Sequence, residues 1–331
     1  MKIKTLLGSS LIGLCLSQPA SALNIVLTND DGWDTHNIKT LFTQLKSGGH
    51  DVVMAAPCIG QSGKGGAVEF LKAVNIDRSQ IADNKACIGE TDETLAYEDF
   101  SNGTPVMAAL YGIDVLAQEK WSAAPDLLIS GPNEGNNLGY LTNNSGTLGA
   151  ANVAIARGIP AIAVSAHMDD ENTEAMAKVV VDIVAELIAN QKEGQALLPA
   201  FTGLNVNTPA DSANHQGYVF SRVGWNSGNV DVQFVDDMSQ DQTVMGYVAQ
   251  GILAAGYAPD MATAMQIAQS QYAGKGGVSI ADGGLVNDNN ANSEGVLLEQ
   301  GYVTISTIEA NVQATSAKTA LMELKLNGLI K

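Results

Sequence analysis

The sequence predicts an α/β fold: a Rossmann-like, three-layer, mostly parallel sheet with helices on both faces, followed by a C-terminal β-hairpin and helix extension. Three observations carry this reading. Short apolar runs at about 24–28, 51–56, 126–130, 161–165 and 203–207 alternate with segments of helical spacing. Most of those runs are mainly apolar without strict alternation, as befits strands buried on both faces. Several of them break off into polar, glycine-bearing loops, which in a parallel sheet emerge along one edge, where such folds bind ligands.

The elements follow in order. Asn24 to Thr28 stops at Asn29-Asp30-Asp31-Gly32, and then Ile38, Leu41, Phe42 and Leu45 recur at helical spacing until Gly48-Gly49 ends the pattern. Asp51 to Ala56 is a Val-rich strand followed by Pro57 and the loop Gly60-Gln61-Ser62-Gly63-Lys64-Gly65-Gly66. Residues 67 to 102 read as a hairpin or an irregular excursion. Thr104-Pro105 has the form of an N-cap with proline at the first helical position, and Val106, Ala109, Leu110 and Ile113 supply that helix's buried face. Asp126 to Ser130 is a strand that enters Gly131-Pro132-Asn133-Glu134-Gly135. Ser145-Gly146-Thr147 opens a helix of small residues, Ala161 to Ser165 is the next strand, and a helix at 173–189 leads to a strand at 203–207. Past residue 210 the pattern changes: Tyr218 to Val223 and Val230 to Val235 read as antiparallel strands, Met261 to Gln271 as an exposed helix, Gly301 to Ile308 as the last strand, and a helix follows from about Ala317. We read residues 23–331 as a single domain, with a core at about 23–210 and an extension at about 211–331 used for oligomer contacts.

The chain opens with Lys2 and Lys4, an apolar stretch from Thr5 to about Leu16, and Ala20-Ser21-Ala22, which together predict a secretory signal peptide over residues 1–22. Leu14 before Cys15 is not the small residue that a lipid-attachment signal carries. An exported protein of 309 residues, periplasmic or secreted, is therefore expected. No other segment is apolar enough to span a bilayer. Removing the two lysines moves the formal charge from −18 to −20, which argues against nucleic acid or an anionic membrane as partner. The mature chain keeps Cys58 and Cys87, and an oxidising compartment lets them pair. A bond there would contribute roughly 3 to 4 kcal/mol by loop entropy; the alternative is two buried thiols. His36, His50, His167 and His215 show no ligand spacing, so a Cys/His zinc site is not expected.

The unusual residues cluster on one predicted sheet edge: Asp30 and Asp31 after the first strand, Ser62 after the second, Asn133 after the 126–130 strand. Adjacent carboxylates repel each other and would repel phosphate, so a hard divalent cation with oxygen ligands explains them best, magnesium, manganese or calcium and not zinc. On its own, Asn-Asp-Asp-Gly is more often a turn and helix cap; Ser62 and Asn133 on the same edge turn the balance toward a cation site. Ser145-Gly146-Thr147 and the glycines around Ser62, Gly63 included, suit an oxyanion, since free N–H groups and the positive end of a helix dipole lie there; an ordinary N-cap is the plainer reading of the former. No Gly-x-Gly-x-x-Gly follows the first strand, Gly60 to Gly66 lacks Walker spacing, and no serine sits in a Gly-x-Ser-x-Gly elbow.

These residues resemble the SurE family of nucleotidases. Val26-Leu27-Thr28-Asn29-Asp30-Asp31-Gly32 is similar to the family's opening signature and Ala56-Pro57 through Gln61-Ser62-Gly63 to its second. Asn102-Gly103-Thr104-Pro105, Pro125-Asp126-Leu127 through Asn137-Leu138-Gly139, Ser145-Gly146-Thr147-Leu148-Gly149-Ala150-Ala151 and Gly158-Ile159-Pro160-Ala161-Ile162-Ala163-Val164-Ser165 continue it. Weaker agreement reaches Leu204-Asn205-Val206-Asn207 and Gly301-Tyr302-Val303-Thr304-Ile305; residues 225–290 agree least. The resemblance implies a metal held by Asp30, Asp31, Ser62 and Asn133, phosphate held at Ser145 to Thr147, hydrolysis of nucleoside monophosphates with broader phosphatase activity, and homodimers or homotetramers that exchange C-terminal elements. Asn144 stands where the family usually has tyrosine, and Val106-Met107 replaces its usual small and acidic pair. An export signal is also unusual for a family that is generally cytoplasmic.

The expected reaction is hydrolysis of a phosphate monoester by in-line attack of water, with Asp30 and Asp31 holding a cation that acidifies the water, and Asn29, Ser145, Gly146 and Thr147 stabilising developing charge. Two alternatives stand beside it: an exported module that binds a nucleotide or small anion without turnover, and an exported hydrolase of another ester class.

Overall fold

Strand Asn24–Thr28 (β1), helix His36–Ser47 (α1) and strand Asp51–Pro57 (β2) form the first βαβ unit of the computed structural model, with β1 and β2 paired in parallel from Asn24 opposite Asp51 to Leu27 opposite Met54. The structure describes residues 22–92, 94–96, 100–228, 230–282 and 288–329. Apart from Ala22, the expected signal peptide lies outside them. Ile76–Asp77 (β3) and Lys85–Ile88 (β4) make a hairpin within the 67–102 excursion, and β4 lies parallel to β2. That pairing brings Cys58, just past β2, against Cys87 in β4, with their sulfurs 2.06 Å apart. Pro105–Tyr111 (α2) starts at the expected cap, Thr104 accepting the Met107 N–H, and continues through a π turn into Ala117–Trp121 (α3). Leu127–Glu134 (β5), Gly146–Ala156 (α4), Ala161–Ala166 (β6), Thr173–Ala189 (α5) and Thr202–Asn207 (β7) follow. β5 is longer than predicted because Gly131-Pro132, which reads as a loop, stays beside β6 across a register shift between Ser130 and Asn133.

The strand order is β3-β4-β2-β1-β5-β6-β7, and β4, β2, β1, β5, β6 and β7 all run the same way. Successive side chains of a strand point to opposite faces, so β1 divides its apolar residues between two cores. Ile25 and Leu27 pack with Ile38, Leu41 and Leu45 of α1 and with Val180 and Val184 of α5. Val26 packs on the other side with Ala108 and Ala109 of α2 and Ala150, Ala151 and Ala154 of α4. The chain moves from β1 to β2 on one side and returns to β5 on the other. The ends of β1 and β5 therefore flank the topological switch point, where a crevice opens at the carboxyl edge of the sheet.

The second half contributes Tyr218–Ser221 (β8), Val230–Val235 (β9), Gln242–Ala254 (α6), Met261–Tyr272 (α7), Gly277–Asp282 (β10), Glu294–Glu299 (α8), Val303–Glu309 (β11) and Ser316–Leu326 (α9). β11 lies beside β7, antiparallel to it, and β8 adds parallel to β11. The expected antiparallel strand at 218–223 is thus corrected to a shorter, parallel one, because its partner is the distant last strand and not its neighbour in sequence. β9 does pair antiparallel, with β10. The helix expected to be exposed at 261–271 buries Ala264 and Ala268 against Met245 and Ala249 of α6. An alanine face gives little apolar contrast, which is why α6 and this contact escape a pattern reading. Leu321, Met322 and Leu324 of α9 are exposed. Among the described residues no helix is long and apolar enough to cross a membrane.

Two local features tie the halves and layers together. Gly149 lets α4 approach the loop after β2 so closely that a β-carbon there would collide with the main-chain oxygen of Gly65. Glu294, fully buried at the start of α8, accepts the Gly139 N–H at 3.2 Å, the Asn205 Nδ2 at 3.1 Å and the Ser306 hydroxyl at 2.9 Å. Asn205 and Ser306 face each other across β7 and β11. Burial outweighs these donors and pushes the Glu294 carboxyl up to about 8.

Both features make predictions. Gly149→Ala replaces a poor helix former by the best one, yet the collision is expected to destabilise the protein by about 1 to 3 kcal/mol; denaturant titration showing equal or greater stability would refute the close approach. For Glu294, the folded protein holds a proton that the unfolded chain releases at about 4.5. Stability is then expected to fall as pH rises from about 4.5 to about 8, by up to about 1.4 kcal/mol per pH unit from this group. Glu294→Gln, which cannot ionise, should flatten that part of the stability profile, and an unchanged slope would contradict the shift.

Candidate functional site

The site is built at the ends of β1 and β5 and the start of α4. β1 leaves the sheet at Thr28, and the Asn29 side chain closes the next turn: its Nδ2 donates to the Gly32 carbonyl at 2.8 Å and to Thr35 Oγ1 at 3.2 Å, and its Oδ1 accepts the Gly32 N–H at 3.2 Å. Every polar atom of that amide is engaged within the turn, so Asn29 shapes the loop that presents Asp30 and Asp31. The Asp30 carboxylate runs into the start of α4. Its Oδ1 accepts the Thr147 hydroxyl at 2.6 Å, and the Gly146 N–H bonds it as well. Gly146 must lack a side chain there, since a β-carbon would lie 2.8 Å from Asp30 Cβ and 2.9 Å from its Oδ2. Ser145 caps its own helix, its hydroxyl accepting the Leu148 N–H at 3.2 Å.

Asp31 turns toward the end of β5, where its Oδ2 accepts the Glu134 N–H at 3.0 Å. Asn133 lies next to that donor; its Nδ2 bonds the Gly135 carbonyl at 2.6 Å, which leaves the amide oxygen as its remaining ligand atom. Burial pushes Asp30 up despite the donors from Thr147 and Gly146. Burial, then the Asp30 charge, push Asp31 up to about 7. None of the ion pairs among the described residues involves either carboxylate.

The β2 loop meets the same turn. Gln61 N–H donates to the Asp30 carbonyl at 2.7 Å, which sets the following Ser62 beside the β1 loop. Ser62 and Gly63 are exposed, and Gly63 has φ of +77°, the conformation that the turn from Gln61 to Lys64 requires of it. The loops after β1, β2 and β5 and the start of α4 thus all lie at one edge of the sheet, as the sequence predicts.

A buried amide network behind the carboxylates escapes the sequence reading. Asn137 Nδ2 donates to Ser165 Oγ at 2.8 Å and reaches Thr147 Oγ1 at 3.4 Å. Its main chain is gripped by β7: Asn207 Oδ1 accepts the Asn137 N–H at 3.0 Å, and Asn205 and Asn207 Nδ2 each donate to the Asn137 carbonyl at 3.2 Å. The available signal was Asn205 and Asn207 in an otherwise apolar strand, since buried amides are retained where they find partners.

The polar side chains that these loops bring to one sheet edge all carry oxygen: two carboxylates, the Asn133 amide and the Ser62 hydroxyl. Among the described residues no three His, Cys, Asp or Glu side chains converge, so a cation here would add neutral oxygens to two acids. Two adjacent carboxylates, Asp30 buried and Asp31 half-buried, that no ion pair among the described residues neutralises fit a hard divalent ion. A groove of about 710 Å³ opens beside Ser145, lined among others by Val106, Leu148, Asn152 and Asn311.

An acid phosphatase of Yarrowia lipolytica is 37% identical to this chain over 210 residues, covering 57% of each chain. The 5'-nucleotidase SurE of Thermosipho melanesiensis is 35% identical over 189 residues, 57% of this chain and 66% of that one. The chain thus spans less than two thirds of either relative. The crystal structure of the SurE protein from Aquifex aeolicus superposes with a TM-score of 0.63 at 25% identity, over 91% of this chain and 99% of that one. The family profile described as Survival protein SurE matches residues 25–229, which contain the whole Asp30 site. With that match over more than half its length, the chain belongs to the SurE family.

Proposed function

We propose that this protein hydrolyses phosphate monoesters, nucleoside monophosphates first among them, with a divalent cation held by Asp30, Asp31, Ser62 and Asn133. Magnesium or manganese suits the oxygen donors best, with calcium a further candidate. The observation that carries the reading is the adjacent pair Asp30, buried, and Asp31, half-buried, at the switch point of the sheet, neither of which takes part in an ion pair among the described residues. The relatives named acid phosphatase and 5'-nucleotidase support the same chemistry.

A bound cation supplies charge neutralisation to the phosphate and acidity to a water molecule. The protein's own groups prepare the rest. Thr147 and Gly146 hold Asp30, the Glu134 N–H holds Asp31 by one oxygen, and the other Asp31 oxygen is left to orient a water for in-line attack on phosphorus. Ser145, Gly146, Thr147 and Gly63 border the phosphate seat. Because Asp30 already occupies part of the α4 N-terminus, a phosphate dianion beside it meets a carboxylate, and only a cation offsets that repulsion. The groove beside Ser145 has room for the leaving alcohol. Residues 1–22 direct export in this reading, and outside the cytoplasm Cys58 and Cys87 form a disulfide.

Phosphate release from a panel of nucleoside monophosphates, measured with magnesium or manganese and again with a chelator, tests the function. Metal-dependent release is expected, and Asp30→Asn should lower it at least about 100-fold while keeping the far-UV circular dichroism of the parent. Release that ignores the chelator, or full activity in Asp30→Asn, would sink the assignment; retention of unchanged nucleotide with metal present would point to a binding protein. Export and pairing are read by intact mass: the extracytoplasmic chain should begin at Leu23 and weigh two hydrogens less than after reduction. A chain recovered only in the cytoplasm with free thiols would refute both.

A further inference from the structure

Glu294 stands outside every group assigned above, 0% exposed, in a part of the chain beyond residues 25–229 of the family match, yet it is wired to the site. Its carboxyl takes one hydrogen of the Asn205 amide at 3.1 Å, and the same Nδ2 donates to the Asn137 carbonyl at 3.2 Å. Asn137 reaches the Thr147 hydroxyl at 3.4 Å, and Thr147 donates to Asp30 at 2.6 Å. Glu294 also holds the same loop directly, through the Gly139 N–H. Gly139 has φ of +52° and is packed so tightly on the main chain of Trp225 and Asn226 that no side chain fits. That end of the loop can be fixed only through its main chain. Without the Glu294 acceptor, the Asn205 amide keeps one partner and is free to rotate, and the Gly139 N–H is left buried without its acceptor.

We propose that Glu294 is a positioning residue for phosphate-ester hydrolysis, holding Asn137 and through it the Thr147 hydroxyl in the place that fixes Asp30. The inference rests on the function proposed above. Its neutral analogue is sufficient for the task, because the grip needs an acceptor for Gly139 and Asn205 and a partner for Ser306, all of which a glutamine amide provides.

The test is a kinetic cycle on the parent, Glu294→Ala, Glu294→Gln, Thr147→Val and the Glu294→Ala/Thr147→Val double variant, using the best substrate of the nucleotide panel. Glu294→Ala is expected to lower kcat at least about tenfold with KM changed less than about threefold, Glu294→Gln to stay within about threefold of the parent, and the double variant to be no more than about threefold slower than Thr147→Val. The proposal is overturned if Glu294→Ala keeps its kcat, if Gln is as impaired as Ala, or if the two losses multiply in the double variant. Should Glu294→Ala fail to fold, as judged by circular dichroism, Asn205→Ser takes its place in the cycle with the same expected losses. A parent that releases no phosphate refutes the function itself; an active parent with an unaffected Glu294→Ala refutes only this inference.

Discussion

A carboxylate buried against the start of a helix organises this protein. Asp30 ends β1 with its Oδ1 on the Thr147 hydroxyl and the Gly146 N–H bonded to the same carboxylate, and the local sequence of α4 is arranged around that contact. Gly146 admits the carboxylate, Gly149 admits the β2 loop three residues further along, and Ala150, Ala151 and Ala154 beyond them pack the helix against the sheet. The magnitudes decide how such a contact behaves. A helix N-terminus favours an anion by about 0.3 to 2 kcal/mol, whereas removing a carboxylate from water costs several kcal/mol. α4 alone therefore cannot hold the charge comfortably, in keeping with the upward shift of Asp30.

Asp31 compounds the imbalance. It is half-buried, adjacent to a like charge, and supported by one main-chain donor at Glu134. A protein optimised only for stability would not place two acids side by side at a sheet edge with no basic partner, because each disfavours ionisation of the other. Asn133 at the end of β5 and Ser62 in the β2 loop lie at the same sheet edge, and their oxygens are further acceptors that add no positive charge. The edge is short of positive charge, and both acids are shifted upward accordingly.

The second half of the chain completes what the first begins. β11 returns to pair with β7, and β8 extends the sheet by one more strand, so the sheet is continuous through residues that the family match does not include. The amides of Asn205 and Asn207 on β7 then sit between the loop after β5 and the carboxyl of Glu294. Each of these amides donates into the network, so the loop after β5 and the start of α8 are linked through β7.

Periodicity and composition made much of the fold legible. The runs at 24–28, 51–56 and 161–165 and the helical spacing at 173–189 coincide closely with β1, β2, β6 and α5, because strands buried on both faces and an amphipathic helix leave strong local patterns. The placement of Asp30, Asp31, Ser62 and Asn133 along one edge was equally legible, since parallel strands deliver their C-terminal loops to the same side. Other features were not local. The direction of β8 depends on a strand some eighty residues later, the partner of α7 is an alanine-rich face with little apolar contrast, and Glu294 meets Gly139 across 155 residues. Sequence alone determined which residues could carry the chemistry, because strand ends and loop composition are written in near neighbours. Only the tertiary structure decided that Asn29 braces its own turn, that Asp30 fills part of the α4 N-terminus, and that a buried acid stands behind the site, because hydrogen bonds between distant segments leave no period in the chain.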